Sequence, residues 1–138
     1  MLRAVVDTNV LVSALLFPTS NPGRVLAAAF VHRFELVASE RLLDELEDVL
    51  RRPKIAALLM GASIGEFLEA VEGTAAMEDD PTHVRAYTRD PDDDYLVSLA
   101  DAHDADALVT GDADLLDATA LPVRVVSPVE FLELLDQV

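Results

Sequence analysis

The sequence contains no cysteine. A chain without cysteine can form neither a disulfide scaffold nor a thiolate metal site, and this composition suits a reducing cytoplasm. The sequence also lacks an apolar run that reaches the ~18 residues of a membrane span. Its first residues, LRAVVD, carry no signal-peptide pattern. We therefore expect a cytoplasmic protein that does not associate with a membrane.

Positive charge is scarce. The chain has 10 Lys and Arg residues against 26 Asp and Glu residues, its net charge is −16, and Lys54 is its only lysine. Because non-specific binding of nucleic acid depends on contacts between cations and phosphates, this balance argues against a general nucleic-acid-binding surface. The acidic excess has two interpretations. It is either a solvated surface suited to high salt, or it includes carboxylates that are clustered to hold cations.

The few basic residues form one cluster, which consists of Arg51, Arg52 and Lys54 at the end of a predicted helix. Positive charge is favourable at a helix C-terminus, so we interpret this cluster as structural rather than as an RNA groove. Arg24 and Arg41 are isolated candidates for phosphate contacts. We expect weak intrinsic binding of nucleic acid, and therefore activity that is sensitive to salt or depends on a partner.

Hydrophobic residues make up 51% of the 138 residues, which is enough for one domain, residues 1–138, with its own core. Short apolar segments typical of buried strands alternate with segments of helical periodicity. The predicted strands are residues 3–6, 34–38, 106–110 and 123–126, and the predicted helices are residues 21–34, 40–52, 92–103, 111–117 and 127–135, with one or two more in 54–75.

Glycines and prolines mark the interruptions in this pattern. Breaks are predicted around Gly61 and Gly65, and residues 77–91 are predicted to be a loop with one short strand. The alternation of strands and helices is typical of an α/β protein. We predict a three-layer α/β/α sandwich with a central, mainly parallel sheet of four to five strands.

Acidic residues follow several of the predicted strands. Asp7 ends the first strand, and Asp112 comes just after the strand ALVT. Glu45 lies in the helix that follows FELVAS, while Asp93 and Asp94 open the helix that precedes DALVT. Because ligands bind outside the carboxyl ends of parallel strands, separate segments of the chain can bring carboxylates to one edge of the sheet.

Carboxylates that meet at one edge raise one another's pKa unless a cation offsets their charge. Mg²⁺ and Mn²⁺ prefer oxygen ligands, and Mg²⁺ typically combines one or two carboxylates with water and a substrate phosphate. Such an ion can lower the pKa of a bound water and stabilise charge on a phosphoryl oxygen. A metal held by acids would reconcile an acidic protein with RNA or DNA as its substrate.

The residues alone leave alternatives open. Asp7 and Asp112 each precede a helix, where an aspartate is also a common N-cap. Glu45 and Glu47 flank the apolar stripe of their helix on opposite sides, so helical periodicity does not choose between them. At least one aspartate of the DDD sequence at 92–94 is expected to cap its helix, and Asp90 is expected to be a turn residue.

Four segments of the chain resemble the PIN-domain family in their order and spacing. They are VVDTNVLVSALL, SERLLDELEDVL, RDPDDDYLVSLA and ALVTGDADLL. The resemblance covers nearly the whole chain and is strongest to bacterial and archaeal PIN proteins described as toxins of toxin–antitoxin pairs. It implies a PIN-like fold, hydrolysis of single-stranded RNA with Mg²⁺ or Mn²⁺, a cognate antitoxin and a homodimer.

The resemblance also implies a set of acids that form the site. They are Asp7 in DTN, Glu45 in SERLLDEL, Asp94 in DPDDDYL with Asp93 as the second choice, and Asp112 in TGD. Further candidates near them are Thr8, Asn9, Thr110 and Asp114. The three aspartates are expected to hold the metal directly. Glu45 is expected to hold the metal or to orient the attacking water.

Two alternatives belong to other functional classes. A phosphatase of the haloacid-dehalogenase type also begins with a strand that ends in aspartate, but it needs a second aspartate two residues later. Asn9 occupies that position, and the chain offers no convincing partner lysine. The other alternative is a catalytically weak PIN-fold interaction module. The presence of an acid in each of the four expected segments argues against this alternative.

Overall fold

The computed structural model describes residues 1–60 and 62–138 of the chain. These residues form five strands and eight helices. The strands are β1 (Arg3–Val6), β2 (Glu35–Ala38), β3 (Ala76–Met77), β4 (Ala107–Val109) and β5 (Val125–Val126). The helices are α1 (Thr8–Leu16), α2 (Asn21–Phe30), α3 (Glu40–Leu50), α4 (Pro53–Leu58), α5 (Ile64–Thr74), α6 (Pro91–Ala102), α7 (Ala113–Asp117) and α8 (Pro128–Asp136).

The strands form one parallel sheet in the order β3-β2-β1-β4-β5. Val5 of β1 lies opposite Val37 of β2 and Leu108 of β4. Because the strands are parallel, their carboxyl ends meet at one edge of the sheet, which we call the carboxyl edge. The predicted three-layer α/β/α sandwich is confirmed, with a sheet of five strands and β1 at its centre.

The central strand is part of the hydrophobic core. Ala4, Val5 and Val6 are at most 1% exposed, as expected for a parallel sheet covered on both faces. Helices α1, α2 and α3 pack together, and α6 packs on β1 and β4. Burial of a Val or Leu side chain contributes about 1.5–3 kcal/mol. The apolar residues of β1 therefore hold Asp7, which follows them, at the carboxyl edge.

Serine side chains fix where several helices begin. The backbone N–H of Leu42 donates to Ser39 Oγ (3.2 Å) at the start of α3, and Ser127 forms a capping box with Glu130 at the start of α8. Such caps stabilise a helix by about 1 kcal/mol. The cap at Ser39 fixes where α3 begins, just after β2 ends at the carboxyl edge.

Some predicted boundaries are wrong. The helix predicted for residues 21–34 ends at Phe30, because His32 has a φ of 58° and turns the chain so that Phe34 enters the core. Gly65 does not break a helix, because Ser63 accepts a hydrogen bond from the N–H of Glu66 and starts α5 there. The break predicted at Gly61 lies outside the described residues.

The loop that precedes α6 agrees with its prediction more closely. The short strand β3 (Ala76–Met77) begins one residue before the predicted loop, and the chain then has no regular structure until Pro91. Among residues 1–60 and 62–138, no helix has the length and apolar character that a membrane crossing requires.

Candidate active site

Asp7 lies at the carboxyl edge and is buried. Its backbone N–H donates to Val109 O (2.9 Å), so the β1–β4 pairing continues up to this residue. Its carboxylate accepts hydrogen bonds from Asn9 N at Oδ1 (3.2 Å) and from Thr110 Oγ1 at Oδ2 (2.8 Å). Asp7 therefore caps α1 and also points toward the end of β4. The two roles that the sequence offered for it are compatible.

The environment of Asp7 raises the pKa of its carboxyl group. Burial is the largest cause, and the hydrogen bonds from Thr110 and Asn9 act in the opposite direction. The charges of Asp112 and Asp90 then raise the pKa further. An acid in this position is costly to ionise unless a cation is nearby.

Thr110 connects Asp7 to Asp112. Its side chain is fully buried at the end of β4, where Oγ1 donates to Asp7 and accepts from the backbone N–H of Asp112 (3.0 Å). Asp112 caps α7 and accepts a hydrogen bond from Asp114 N (2.9 Å). The tight turn at Gly111 thus brings a second carboxylate to the carboxyl edge, beside the first.

Asp93 and Asp94 are adjacent in α6, but their side chains contact different groups. The pKa of Asp93 is raised to about 7 by burial, then by a hydrogen bond to Asp112 and its charge, and then by Asp90 and Asp7. Asp94 Oδ1 instead accepts from Tyr87 N (2.9 Å), Thr88 N (2.7 Å) and Thr88 Oγ1 (3.0 Å). Asp93, not the preferred Asp94, lies beside Asp112.

This difference between the two aspartates follows from where α6 begins. Asp90, predicted to be a turn residue, is the N-cap and accepts from Asp92 N (2.9 Å), with Pro91 in the first turn. The expectation that an aspartate at 92–94 caps the helix was wrong. Proline favours the first helical position. That rule would have assigned the cap to Asp90 and left Asp93 free to face the site.

The environments of Glu45 and Glu47 distinguish these two candidates. Glu45 is half-buried, and its pKa is raised by burial and then by the charges of Asp92 and Asp7, although Arg41 and Arg52 oppose this. Glu47 instead forms an ion pair with Arg51 (2.9 Å) on the surface of α3. Glu45 is therefore the acid of α3 that shares an electrostatic environment with Asp7.

We call Asp7, Glu45, Asp93 and Asp112 the acid cluster. Its donors are all carboxylate oxygens, which suit a hard divalent cation. Burial and neighbouring negative charge raise the pKa of three of its members, Asp7, Glu45 and Asp93. A bound cation would remove this repulsion, so the residues fit Mg²⁺ or Mn²⁺ in donor type and charge. In the part of the chain that the structure describes, no three His, Cys, Asp or Glu side chains are already arranged to hold a metal ion.

The remaining candidates surround the cluster. Asn9 lines a cleft of about 350 Å³ together with Asp7 and Asp112. Thr8 is buried, and its Oγ1 has no hydrogen-bond partner among the described residues. Asp114 is exposed and lines a separate cleft of about 390 Å³ that also contains Asp93. Two separate clefts thus reach the cluster, one through Asp7 and Asp112 and one through Asp93.

A hydrogen-bond network centred on the buried Ser39 and Tyr95 links the helices that carry the acids. The Tyr95 hydroxyl of α6 bonds both Ser39, the cap of α3, and Asp80. Burial raises the pKa of Asp80, but the hydrogen bonds from Tyr95, Ser39 and the backbone of Arg41 outweigh it, so the pKa is lowered. The guanidinium of Arg41 stacks on the Tyr95 ring, 4.0 Å from its centroid. This network links α6, which carries Asp93, to the start of α3, which carries Glu45.

Sequence reasoning missed the residues of the loop before α6. Tyr87 and Arg89 line the 390 Å³ cleft beside Asp93. The available signal was the position of Arg89, directly before the aspartate-rich start of α6. The three histidines have no place in the cluster: for example, His103 contacts the backbone oxygen of Asp79 (2.6 Å) and Glu78 (3.4 Å).

Comparisons with known proteins agree with this geometry. A family model described as PIN domain matches residues 3–114. The uncharacterized protein MJ1680 of Methanocaldococcus jannaschii is 28% identical over 142 residues, which cover 96% of this chain and 90% of that protein. The crystal structure of PAE2754 from Pyrobaculum aerophilum has a TM-score of 0.69 and 19% identity, and the match covers 99% of this chain and 97% of that one. The similarity to PAE2754 shows a shared fold.

Proposed function

The chain belongs to the PIN-domain family, a nuclease superfamily whose members typically use a divalent metal, and we propose that it is a metal-dependent endoribonuclease that hydrolyses phosphodiester bonds of single-stranded RNA. The observation that carries this proposal is the acid cluster at the carboxyl edge. Its members come from the ends of β1 and β4 and from α3 and α6. Membership of the PIN-domain family does not support the alternative of a haloacid-dehalogenase-type phosphatase.

The aspartates of the cluster would hold Mg²⁺ or Mn²⁺. A bound ion lowers the pKa of water and offsets charge on a phosphate oxygen. Thr110 keeps the Asp7 carboxylate oriented, because its hydroxyl donates to Oδ2. Glu45 would hold the ion or orient the attacking water, and its raised pKa makes its carboxylate a better acceptor for the water proton at neutral pH.

The chemistry of the products gives a direct test. The chain has no cysteine, and a metal-activated water requires no protein nucleophile, so water is the expected attacking group. Water attack on the phosphorus should leave a 5′-phosphate and a 3′-hydroxyl. The termini of fragments from an unstructured RNA, cleaved with Mn²⁺, can be identified by mass spectrometry. Fragments that end in a 2′,3′-cyclic phosphate would mean that the ribose hydroxyl attacks, and the proposed mechanism would be wrong.

We propose further that the protein is the toxin of a toxin–antitoxin pair. The resemblance of its motifs to such PIN proteins supports this, and a net charge of −16 suits a basic partner. The genomic neighbourhood tests the idea most cheaply, since a cognate antitoxin is expected from a small adjacent gene for a basic, DNA-binding protein. Growth that is unaffected when this chain is expressed alone would count against a toxin.

We also propose a homodimer. Phe17 and Leu58 are 61% and 62% exposed, and an apolar groove of about 290 Å³ is lined by Leu26, Phe30 and Phe67 among others. Apolar surface of this kind commonly marks a protein interface. Light scattering at micromolar concentrations should give twice the mass of the monomer. A monomer mass across that range would contradict the proposal.

A further inference from the structure

The cleft beside Asp93 has features that the acid cluster does not explain. Its volume is about 390 Å³, and its lining includes Tyr87, Thr88, Arg89, Asp90, Asp93 and Asp114. It shares Asp93 with the cluster, so a molecule in this cleft lies next to the proposed site of hydrolysis. We call it the Arg89 cleft. It brings an arginine, a tyrosine and several aspartates together in one small volume, and Tyr87 is partly buried because it also packs against the hydrophobic core.

The Arg89 side chain is available to a ligand. It is exposed, and the ion pairs and hydrogen bonds found among residues 1–60 and 62–138 include none from its guanidinium. Two arginines named above differ from it in this respect: Arg51 pairs with Glu47, and Arg41 stacks on Tyr95. Arg89 therefore places an uncommitted positive charge in a cleft that reaches the acid cluster.

The backbone around Arg89 is fixed before any ligand binds. Asp94 accepts hydrogen bonds from the N–H groups of Tyr87 and Thr88. Thr88 Oγ1 also accepts from Asp90 N (3.1 Å), and Asp90 O (3.0 Å) is an alternative acceptor for its single proton. Arg89 stands between these anchored residues. A preordered loop loses less conformational entropy when it binds a ligand. Asp94 therefore has a role outside the metal site, because it holds this loop in place.

We propose that the Arg89 cleft binds the nucleotide next to the scissile phosphate, with Arg89 on its phosphate and Tyr87 against its base. This inference rests on the proposed ribonuclease function. A guanidinium binds phosphate oxygens through paired hydrogen bonds. An aromatic ring accepts any base by stacking, which suits single-stranded RNA and does not suit a paired duplex.

The carboxylates in the cleft make Arg89 more important. Asp90 and Asp114 would repel a phosphate, and Arg89 supplies the charge that offsets them. Without Arg89, the only charged residues that line the cleft in the described part of the chain are aspartates. Loss of a charge-assisted hydrogen bond typically weakens binding by about tenfold or more. We therefore expect Arg89→Ala to raise KM by about tenfold and to leave kcat nearly unchanged, because Arg89 does not touch the reacting phosphate.

The experiment compares Arg89→Ala with Arg33→Ala in the cleavage of an unstructured oligouridylate with Mn²⁺ at several salt concentrations. Arg33 precedes β2 at the opposite edge of the sheet and pairs with the exposed Asp136 (3.1 Å), so it controls for the change in net charge. A phosphate contact contributes about 0.7 to the slope of log affinity against log salt for a single strand. Arg89→Ala should lower that slope, Arg33→Ala should not, and Tyr87→Leu should raise KM and leave the slope unchanged.

Two outcomes would overturn the subsite. One is an Arg89→Ala chain that cleaves with unchanged KM and salt slope. The other is a lower thermal unfolding midpoint with an unchanged slope, which would make Arg89 a structural counter-charge for the acids. If the wild type does not cleave, the same chains are compared for binding of the oligomer by fluorescence anisotropy. Binding that depends on Arg89 would then support the subsite and refute the ribonuclease, and binding independent of Arg89 would refute both.

Discussion

Replacement of Asp7 by Asn is expected to abolish RNA cleavage and to leave the fold intact. The amide keeps the size of the side chain, and its oxygen can still accept from Thr110 or from Asn9 N, so the start of α1 should remain capped. The substitution removes one negative charge from the acid cluster. Loss of a single electrostatic contact in an active site commonly lowers kcat by at least about 100-fold, and a missing metal ligand should do the same or more.

The same variant should be more stable than the wild type in the absence of metal. Burial and the charges of Asp112 and Asp90 raise the pKa of Asp7, which means that its charged form is disfavoured in the folded protein. An uncharged side chain avoids that cost. Addition of Mn²⁺ should then raise the thermal midpoint of the wild type more than that of the variant.

The assay uses unstructured RNA with Mn²⁺, and parallel reactions with EDTA. Asp44→Asn is the matched control, because it removes the same charge from the exposed side of α3. It should cleave at the wild-type rate. Cleavage that persists in EDTA, or that survives Asp7→Asn undiminished, would show that the mechanism is wrong.

The sequence predicted the fold and the edge of the sheet on which the acids lie, because these depend on patterns that are local and strong. The apolar run of β1 followed by Asp7 could only be a buried strand with an acid at its end. The expectation that four separate acid-bearing segments meet at one edge then followed from the parallel arrangement of the strands. The sequence could not predict the rotation of α3, because that depends on tertiary contacts. This rotation turns Glu45 toward the cluster and leaves Glu47 to pair with Arg51.

The choice between Asp93 and Asp94 has the same physical origin. Only the family pattern favoured Asp94 over Asp93. Neighbouring residues of a helix point about 100° apart, so these adjacent aspartates meet different surroundings. Arg89 was missed because its importance depends on a cleft formed by a loop, α6 and the start of α7, and its position before the aspartate-rich helix start was only a weak signal. A single arginine in a loop has no periodicity and no motif to identify it.

The scarcity of cations also has a structural interpretation. A net charge of −16 repels RNA as a whole, but a repulsion between exposed charges is screened beyond about 8 Å at physiological salt. A phosphate at the acid cluster would meet local groups only. Salt therefore has two opposing effects on activity, since it weakens the general repulsion and also weakens the contact with Arg89. Comparison of matched variants at each salt concentration separates them.

Asp93 and Asp94 provide the second decisive test, because the same substitution should have opposite effects on stability at adjacent positions. Asp93→Asn removes a charge that Asp112, Asp90 and Asp7 repel, and should raise the metal-free free energy of unfolding. We expect about 1–2 kcal/mol, since solvent at the rim of the cluster screens part of the repulsion. Asp94→Asn weakens hydrogen bonds to Tyr87 and Thr88, and should lower the free energy of unfolding by about 1 kcal/mol.

The pH dependence of stability should separate the two residues independently. The pKa of Asp93 is about 7 in the folded protein against 3.8 as its ordinary value, so the folded state binds this proton more tightly than the unfolded chain does. Its contribution to stability is then fully present below about pH 4 and is lost as the pH rises through 7. Asp93→Asn should remove this loss, and Asp94→Asn should preserve it.

Activity completes the comparison. Asp93→Asn should lower cleavage by at least about 100-fold if Asp93 is a member of the metal site. Asp94→Asn should retain kcat and raise KM, because Asp94 anchors the loop that carries Arg89. Urea unfolding without metal between pH 4 and pH 8, together with steady-state kinetics in Mn²⁺, measures both effects. If Asp94→Asn abolished kcat while Asp93→Asn cleaved normally, Asp94 would be the metal ligand, and the assignment of Asp93 to the acid cluster would be wrong.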